Sequence, residues 1–174
     1  MAPLQIVYAC LPEESPEGSA VHEFATRGRR ALETLSPSVS LDPLSEETTP
    51  FSKDSIVVFL LSCGADGSVQ RSVRKYVKKM KEDPPPAPRH YCLALLGHAV
   101  CKASAEQLNE QIFSPGRRLA KTLEKCWGSP LVEQLETQVE LVTPEDAFDP
   151  WIEQLMIQIR HQLGDKKINV EDAS

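Results

Sequence analysis

The sequence predicts an α/β three-layer sandwich, in which helices cover both faces of a five-stranded parallel sheet. Two observations carry that expectation. Short uninterrupted apolar runs recur at residues 6–11, 56–61 and 91–96, and such runs suit strands buried on both faces. Segments with apolar residues at helical spacing alternate with them, which is the pattern of repeated strand–helix–strand units. Right-handed crossovers, with a weak second strand placed at an edge, fit the sheet order 2-1-3-4-5.

The elements follow in order. Gln5-Ile6-Val7-Tyr8-Ala9-Cys10-Leu11 reads as the first buried strand, and residues 12–18 as a loop rich in acid and proline. Val21, Phe24, Ala25, Gly28, Ala31, Leu32 and Leu35 then share one helical face, closed by Ser36-Pro37. Residues 38–41 form a short second strand, and residues 42–54 leave room for a turn or two of helix at most. The central strand at 56–61 runs into a small polar loop, Ser62 to Gly67. Val69, Val73, Tyr76, Val77 and Met80 return at helical spacing in a helix over residues 68–82.

The proline-rich stretch 83–88 suits neither helix nor inner strand and reads as a stiff surface connection. The fourth strand, 91–96, ends at Gly97-His98. After an irregular stretch, Pro115 opens a helix with Leu119, Leu123, Cys126 and Trp127 inward, which Gly128-Ser129-Pro130 stops. Residues 139–142 suit a fifth strand. Thr143-Pro144 is a cap followed by proline at the first helical position, and Phe148, Trp151, Ile152, Leu155, Ile159 and Leu163 form that helix's buried stripe. These elements make one domain over 1–163 with a polar tail at 164–174.

With 174 residues, 41% apolar and 25% charged, the chain is long enough for one real core and short for two ordinary domains. No segment approaches the length of a membrane-spanning helix, and the first residues lack the plan of a signal peptide. The five cysteines, at 10, 63, 92, 101 and 126, form neither a metal spacing nor an even disulfide set. A reducing, cytoplasmic location is therefore expected. The net charge of −6 argues against nucleic acid and membrane surfaces as partners.

This architecture hosts many functions, so the loops must discriminate. A dinucleotide-binding fold needs a glycine fingerprint after the first strand, and this chain has none. A phospho-receiver domain needs an aspartate ending the third strand, where Ser62 stands. A third pattern fits better. Ser15-Pro16-Glu17-Gly18-Ser19-Ala20 before Phe24-Ala25 is similar to the flavodoxin phosphate loop, roughly Ser-x-Thr-Gly-Thr-Ala before Phe-Ala. Ser62-Cys63-Gly64-Ala65-Asp66-Gly67 is similar to the second flavodoxin loop, Ser-Thr-Tyr-Gly-x-Gly-Asp. Leu95-Leu96-Gly97-His98 parallels the third, Gly-Leu-Gly-Asn/Asp. Phe113 to Leu119 and the Trp151 helix complete the match. The chain thus resembles flavodoxins, and in particular the FMN domain of diflavin reductases of the methionine synthase reductase type.

The resemblance implies a flavodoxin-like fold that binds FMN for electron transfer. Ser15, Glu17, Gly18, Ser19 and Ala20 would surround the phosphate through amides and hydroxyls at a helix N-terminus. Ser62, Cys63, Gly64, Ala65, Asp66, Gly67, Gly97 and His98 would surround the ring. Such a domain is at most a component of an FMN-dependent reductase system, because it needs an external reductase and an acceptor.

Two departures from the family pattern support an alternative. Glu17 stands where the family keeps threonine, and two unit charges about 5 Å apart cost roughly 3 kcal/mol at an effective dielectric near 20. The aromatic that stacks on the flavin, worth about 0.5–1.5 kcal/mol beyond burial, is replaced by Cys63 and His98. The alternative is a degenerate flavodoxin-like domain that has lost FMN and acts as a protein-interaction module. Cys10, Cys63 and His98 also fall at carboxyl ends of neighbouring strands, where a thiolate beside an imidazole would be nucleophilic or redox-active. No flanking motif supports that chemistry, and a zinc site there lacks a fourth ligand. Arg71, Arg74, Lys75, Lys78, Lys79 and Lys81 make helix 68–82 strongly basic. That face suits a protein redox partner or another acidic protein surface.

Overall fold

The central apolar run carries no polar face because helices cover the sheet on both faces, and strands hydrogen-bond to it on both edges. In the computed structural model, which describes residues 4–9, 16–36, 39–44, 53–64, 68–98, 105–138 and 144–172, strand β3 (Ile56–Gly64) lies between β1 (Leu4–Ala9) and β4 (His90–His98). Strand β2 (Val39–Pro43) adds to the free side of β1, and β5 (Leu135–Gln138) to the free side of β4. All four pairings are parallel, and the order is β2-β1-β3-β4-β5. Helices α1 (Pro16–Glu33), α2 (Ser68–Glu82), α3 (Ala105–Trp127) and α4 (Pro144–Asp172) complete the layers.

Successive side chains of a strand point to opposite faces, and here each face has its own core. Ile6, Ile56, Val58, Leu60, Ala94 and Leu96 pack against Phe24 and Leu32 of α1 and Phe148, Leu155 and Ile159 of α4. Val7, Val57, Phe59, Leu61, Leu93 and Leu95 pack against Val73, Tyr76 and Met80 of α2 and Leu119 and Leu123 of α3. Among the described side chains the predicted helical stripes face the sheet, with Cys126 the exception. Helix α2 has the predicted bounds. Gly128, at φ +87°, ends α3 where the Gly-Ser-Pro stop was expected.

Four boundaries differ from expectation. Helix α1 starts at Pro16 rather than after Gly18, because proline's fixed φ suits the first helical position. Strand β3 continues through Ser62 and Cys63 to Gly64, residues expected in a loop. There β4 runs beside it as far as His98 and supplies the ladder partners. Helix α3 starts at Ala105, ten residues before the expected start at Pro115. The proline costs one internal bond, and the helix absorbs that within twenty-three residues. The fifth strand lies at 135–138; the expected span 139–142 is outside the described residues.

Two smaller differences concern helix ends. Cys126, expected inward, is exposed, and Trp127 takes the inward place against Phe59 and Tyr91. Helix α4 continues through the expected tail as far as Asp172.

Candidate functional site

In an open parallel sheet the crevice for ligands opens beyond the carboxyl ends of the strands, where the strand order reverses. That reversal lies between β1 and β3. β1 pairs as far as Ala9 opposite Leu61, while β3 continues three residues further beside β4. Cys63 lies opposite Gly97 and Gly64 opposite His98. Gly97 is buried and is paired on its other side with Gln138 of β5. The chain leaving β1 returns as α1, so the first turn of that helix opens onto the same edge of the sheet.

The middle of helix α1 is anchored from three directions. Phe24 stacks on Phe148 of α4, with ring centroids 4.8 Å apart and planes at 10°. Gly28 lets α1 approach α4 and β1, since a methyl there would meet Phe148 Cζ at 3.3 Å and Ile6 Cδ1 at 3.7 Å. Arg27 donates to both carboxylate oxygens of Asp149, at 3.1 and 2.7 Å, with Glu145 and Glu23 at 3.4 and 3.7 Å. The bond to Asp149 raises the guanidinium's pKa further above its already high value. Near the edge itself the Tyr8 ring meets His22, with centroids 5.5 Å apart. Sequence reasoning found none of these contacts, among them Arg27 to Asp149 across 122 positions.

The predicted residues fall at this edge as follows. Glu17, Gly18, Ser19 and Ala20 form the first turn of α1 instead of a preceding loop. The first amides of a helix have no acceptor within it and carry the positive end of the helix dipole. Because α1 starts at Pro16, which has no amide hydrogen, the free amides of this set are those of Glu17 and Gly18, while those of Ser19 and Ala20 enter the helical ladder; two free amides at a helix start suit an anion. Ser62, Cys63 and Gly64 end β3, and Gly97 and His98 end β4, where main chain and a buried glycine fit the edge of a flat ring. Ser15, Ala65, Asp66 and Gly67 lie outside the described residues, as do Cys10 and Cys101. The structure thus brings β3, β4 and the start of α1 to one edge of the sheet.

Other chemistry lies elsewhere. Cys92 is fully buried in the α1/α4 core, where burial pushes its thiol pKa far up and leaves it unreactive. Among the described residues no group of three or more His, Cys, Asp and Glu could hold a metal ion. No helix among them is long and apolar enough to cross a membrane. Arg71, Arg74, Lys75, Lys78, Lys79 and Lys81 of α2 are all exposed.

The architecture has known counterparts. Oxidised flavodoxin 2 of Bacillus cereus superposes with a TM-score of 0.58 at 14% identity, over 92% of this chain and 99% of that one. The fold is flavodoxin-like. A short-chain flavodoxin associated with a non-canonical PDU bacterial microcompartment gives 0.58 at 16% identity, covering 79% of this chain and 84% of its own. Flavodoxin 1 of Bacillus cereus gives 0.53 at 12% identity, over 91% and 95%. No protein-family model and no curated protein matches the sequence.

Proposed function

We propose that this chain binds FMN and serves as an electron-transfer domain, the flavodoxin module of a diflavin-type reductase system in the cytoplasm. The observation that carries this reading is convergence at the switch point. The start of α1 and the paired carboxyl ends of β3 and β4 share one edge of a flavodoxin-like sheet. Ser15, Gly18, Ser19 and Ala20 hold the phosphate at the helix N-terminus. Residues 62–67 with Gly97 and His98 line the ring, where glycines admit close approach of the main chain. FMN, when bound, carries the electrons; the protein supplies position, exclusion of water and tuning of the potential. A separate reductase and a protein acceptor complete the system.

The test is an FMN titration of the purified chain, followed by flavin fluorescence and calorimetry. One-to-one binding at about 1 μM or tighter, on the order of −8 kcal/mol, is the expected result. Glu17→Gln tightens it, because a carboxylate about 5 Å from the phosphate opposes binding by roughly 3 kcal/mol. Absence of binding at several hundred micromolar, about −5 kcal/mol, overturns the flavoprotein reading.

A further inference from the structure

Helices α2 and α3 enclose a groove of about 420 Å³ that the flavin site does not use. Val73, Val77 and Thr122 supply its apolar and methyl-bearing parts, with Val73 and Thr122 themselves buried. Arg74 and Lys81 line it from α2, and Arg118, Lys121 and Lys125 line it from α3. Five of its eight lining residues are therefore cations and none is a carboxylate. This concentration of positive charge occurs in a chain whose net charge is −6. It continues over the exposed face of α2, where six cations stand against one acid, Glu82.

The geometry points to a docking groove for an acidic, apolar-anchored helical segment of a partner protein. Three features select that occupant. Arg74, Arg118 and Lys121 rise from helix interiors and Lys81 and Lys125 from last turns, none from a helix N-terminus, so the groove offers flexible side-chain ammonium and guanidinium groups without the converging backbone amides that make a compact phosphate site. Its apolar floor demands an apolar side chain, which a polyphosphate or a nucleic-acid backbone lacks. Its length, from Val73 to Lys81 along α2, is about 12 Å at 1.5 Å per residue, or roughly two turns of an opposing helix. Leucines at i and i+4 on such a helix would lie over the partly exposed Val77 and the aliphatic stems of Arg74 and Lys81, above the buried Val73, with carboxylates at the flanks facing Lys81, Lys121 and Lys125. This is helix-in-groove recognition with an electrostatic rim. It is independent of FMN, since the groove lies along the bodies of α2 and α3 and away from the carboxyl edge of the sheet.

The probe is a synthetic amphipathic peptide of about 12 residues, roughly three helical turns, with leucine pairs at i and i+4 and glutamates on the flanks. It is titrated into the full chain, with amide shifts followed by NMR. The expected result is shift changes confined to α2 and α3. A Leu→Ser peptide of equal charge binds about tenfold more weakly, which is 1.4 kcal/mol. The double variant Lys121→Glu/Lys125→Glu, whose retained fold is checked by circular dichroism, loses about tenfold or more in affinity. Equal binding of the leucine and serine peptides overturns the proposal and leaves only diffuse attraction. So does tighter binding by single-stranded oligo(dT) or by phosphatidylserine vesicles than by the leucine peptide. Absence of localised shifts at millimolar peptide, about −4 kcal/mol, overturns it as well.

Discussion

The two faces of the sheet are built from the same strands and differ in what they do with charge. On the α1/α4 face, Arg27 is surrounded by Asp149, Glu145 and Glu23, so its charge is satisfied within the domain. An aromatic stack, Phe24 on Phe148, lies in the core of that face. On the α2/α3 face the cations of α2 are exposed, and those of α3 line an open groove beside them. One face uses its polar residues to hold α1 in place at the switch point. The other pairs Lys78 with Glu82 and Arg117 with Glu136 but carries most of its cations outward around the groove, where attraction to an acidic partner is available. A flavodoxin-like domain can thus separate the positioning of its candidate site from the recognition of a partner.

The comparison breaks most visibly at Phe148. Phe148→Ala removes a fully buried ring, which costs about 3–5 kcal/mol in urea unfolding. Leu123→Ala, fully buried on the opposite face, costs about 2–5 kcal/mol by the same mechanism. At matched loss of stability Phe148→Ala is expected to weaken FMN binding more, because it loosens α1, the helix that carries the proposed phosphate site. Equal effects on FMN would mean that the α1/α4 face does not position the site.

Smaller effects come from two helical glycines, one on each face. A methyl at Gly116 of α3 would lie 2.5 Å from Leu95 Cδ2 and 3.1 Å from its Cγ. Leu95 is fully buried, so it cannot swing clear. Overpacking of about 1–3 kcal/mol exceeds the roughly 1 kcal/mol that alanine returns in helix propensity. Gly116→Ala is therefore expected to destabilise by up to about 2 kcal/mol. At Gly28 the nearest atom is 3.3 Å away, at the edge of the Phe148 ring. There the same substitution is expected to fall within about 0.5 kcal/mol of the parent, as the propensity gain offsets slight crowding. Denaturant midpoints of the two variants, measured side by side, check the difference.

The smallest effect is a dependence on pH. Arg117 of α3 donates two bonds of 2.8 Å to Glu136 of β5. Hydrogen bonding to Arg117 is the main reason that this carboxyl's pKa is lowered below its ordinary 4.5. A depressed carboxylate stabilises the folded state above the unfolded value and loses that contribution as pH falls through the folded one. The pair's contribution is therefore complete above about pH 4.5 and fades below it. Glu136→Gln should flatten the acid limb of a stability–pH curve and leave the curve's shape near neutrality unchanged. An acid limb identical to the parent's would show that the pair contributes nothing there.

Much of this was legible in the residues. The apolar runs around Ile6, Val58 and Leu93 marked the inner strands, because only a strand covered on both faces tolerates no polar position. The stripes on α2 and α4 were readable because helices bury one side. The start of α3 was misread at Pro115, since a proline that usually opens a helix here sits inside one. Its earlier turns carried a fainter signal, Leu108 and Ile112 four residues apart. The extension of β3 to Gly64 was also missed, because it depends on β4 running alongside rather than on the strand's own residues.

Taken alone, the sequence determined the fold class, the strand order and the identity of the core, since apolar periodicity is a local property that burial then enforces. Through its resemblance to flavodoxin loops it also proposed site residues, of which Ser62, Cys63, Gly64, Gly97 and His98 end strands beside the switch point. Only the tertiary structure joined Arg27 to Asp149 across 122 positions, set Gly116 against Leu95, and closed the cations of α2 and α3 around one groove. Those contacts link residues from separate elements. No local pattern encodes them, because each arises from how two finished elements pack.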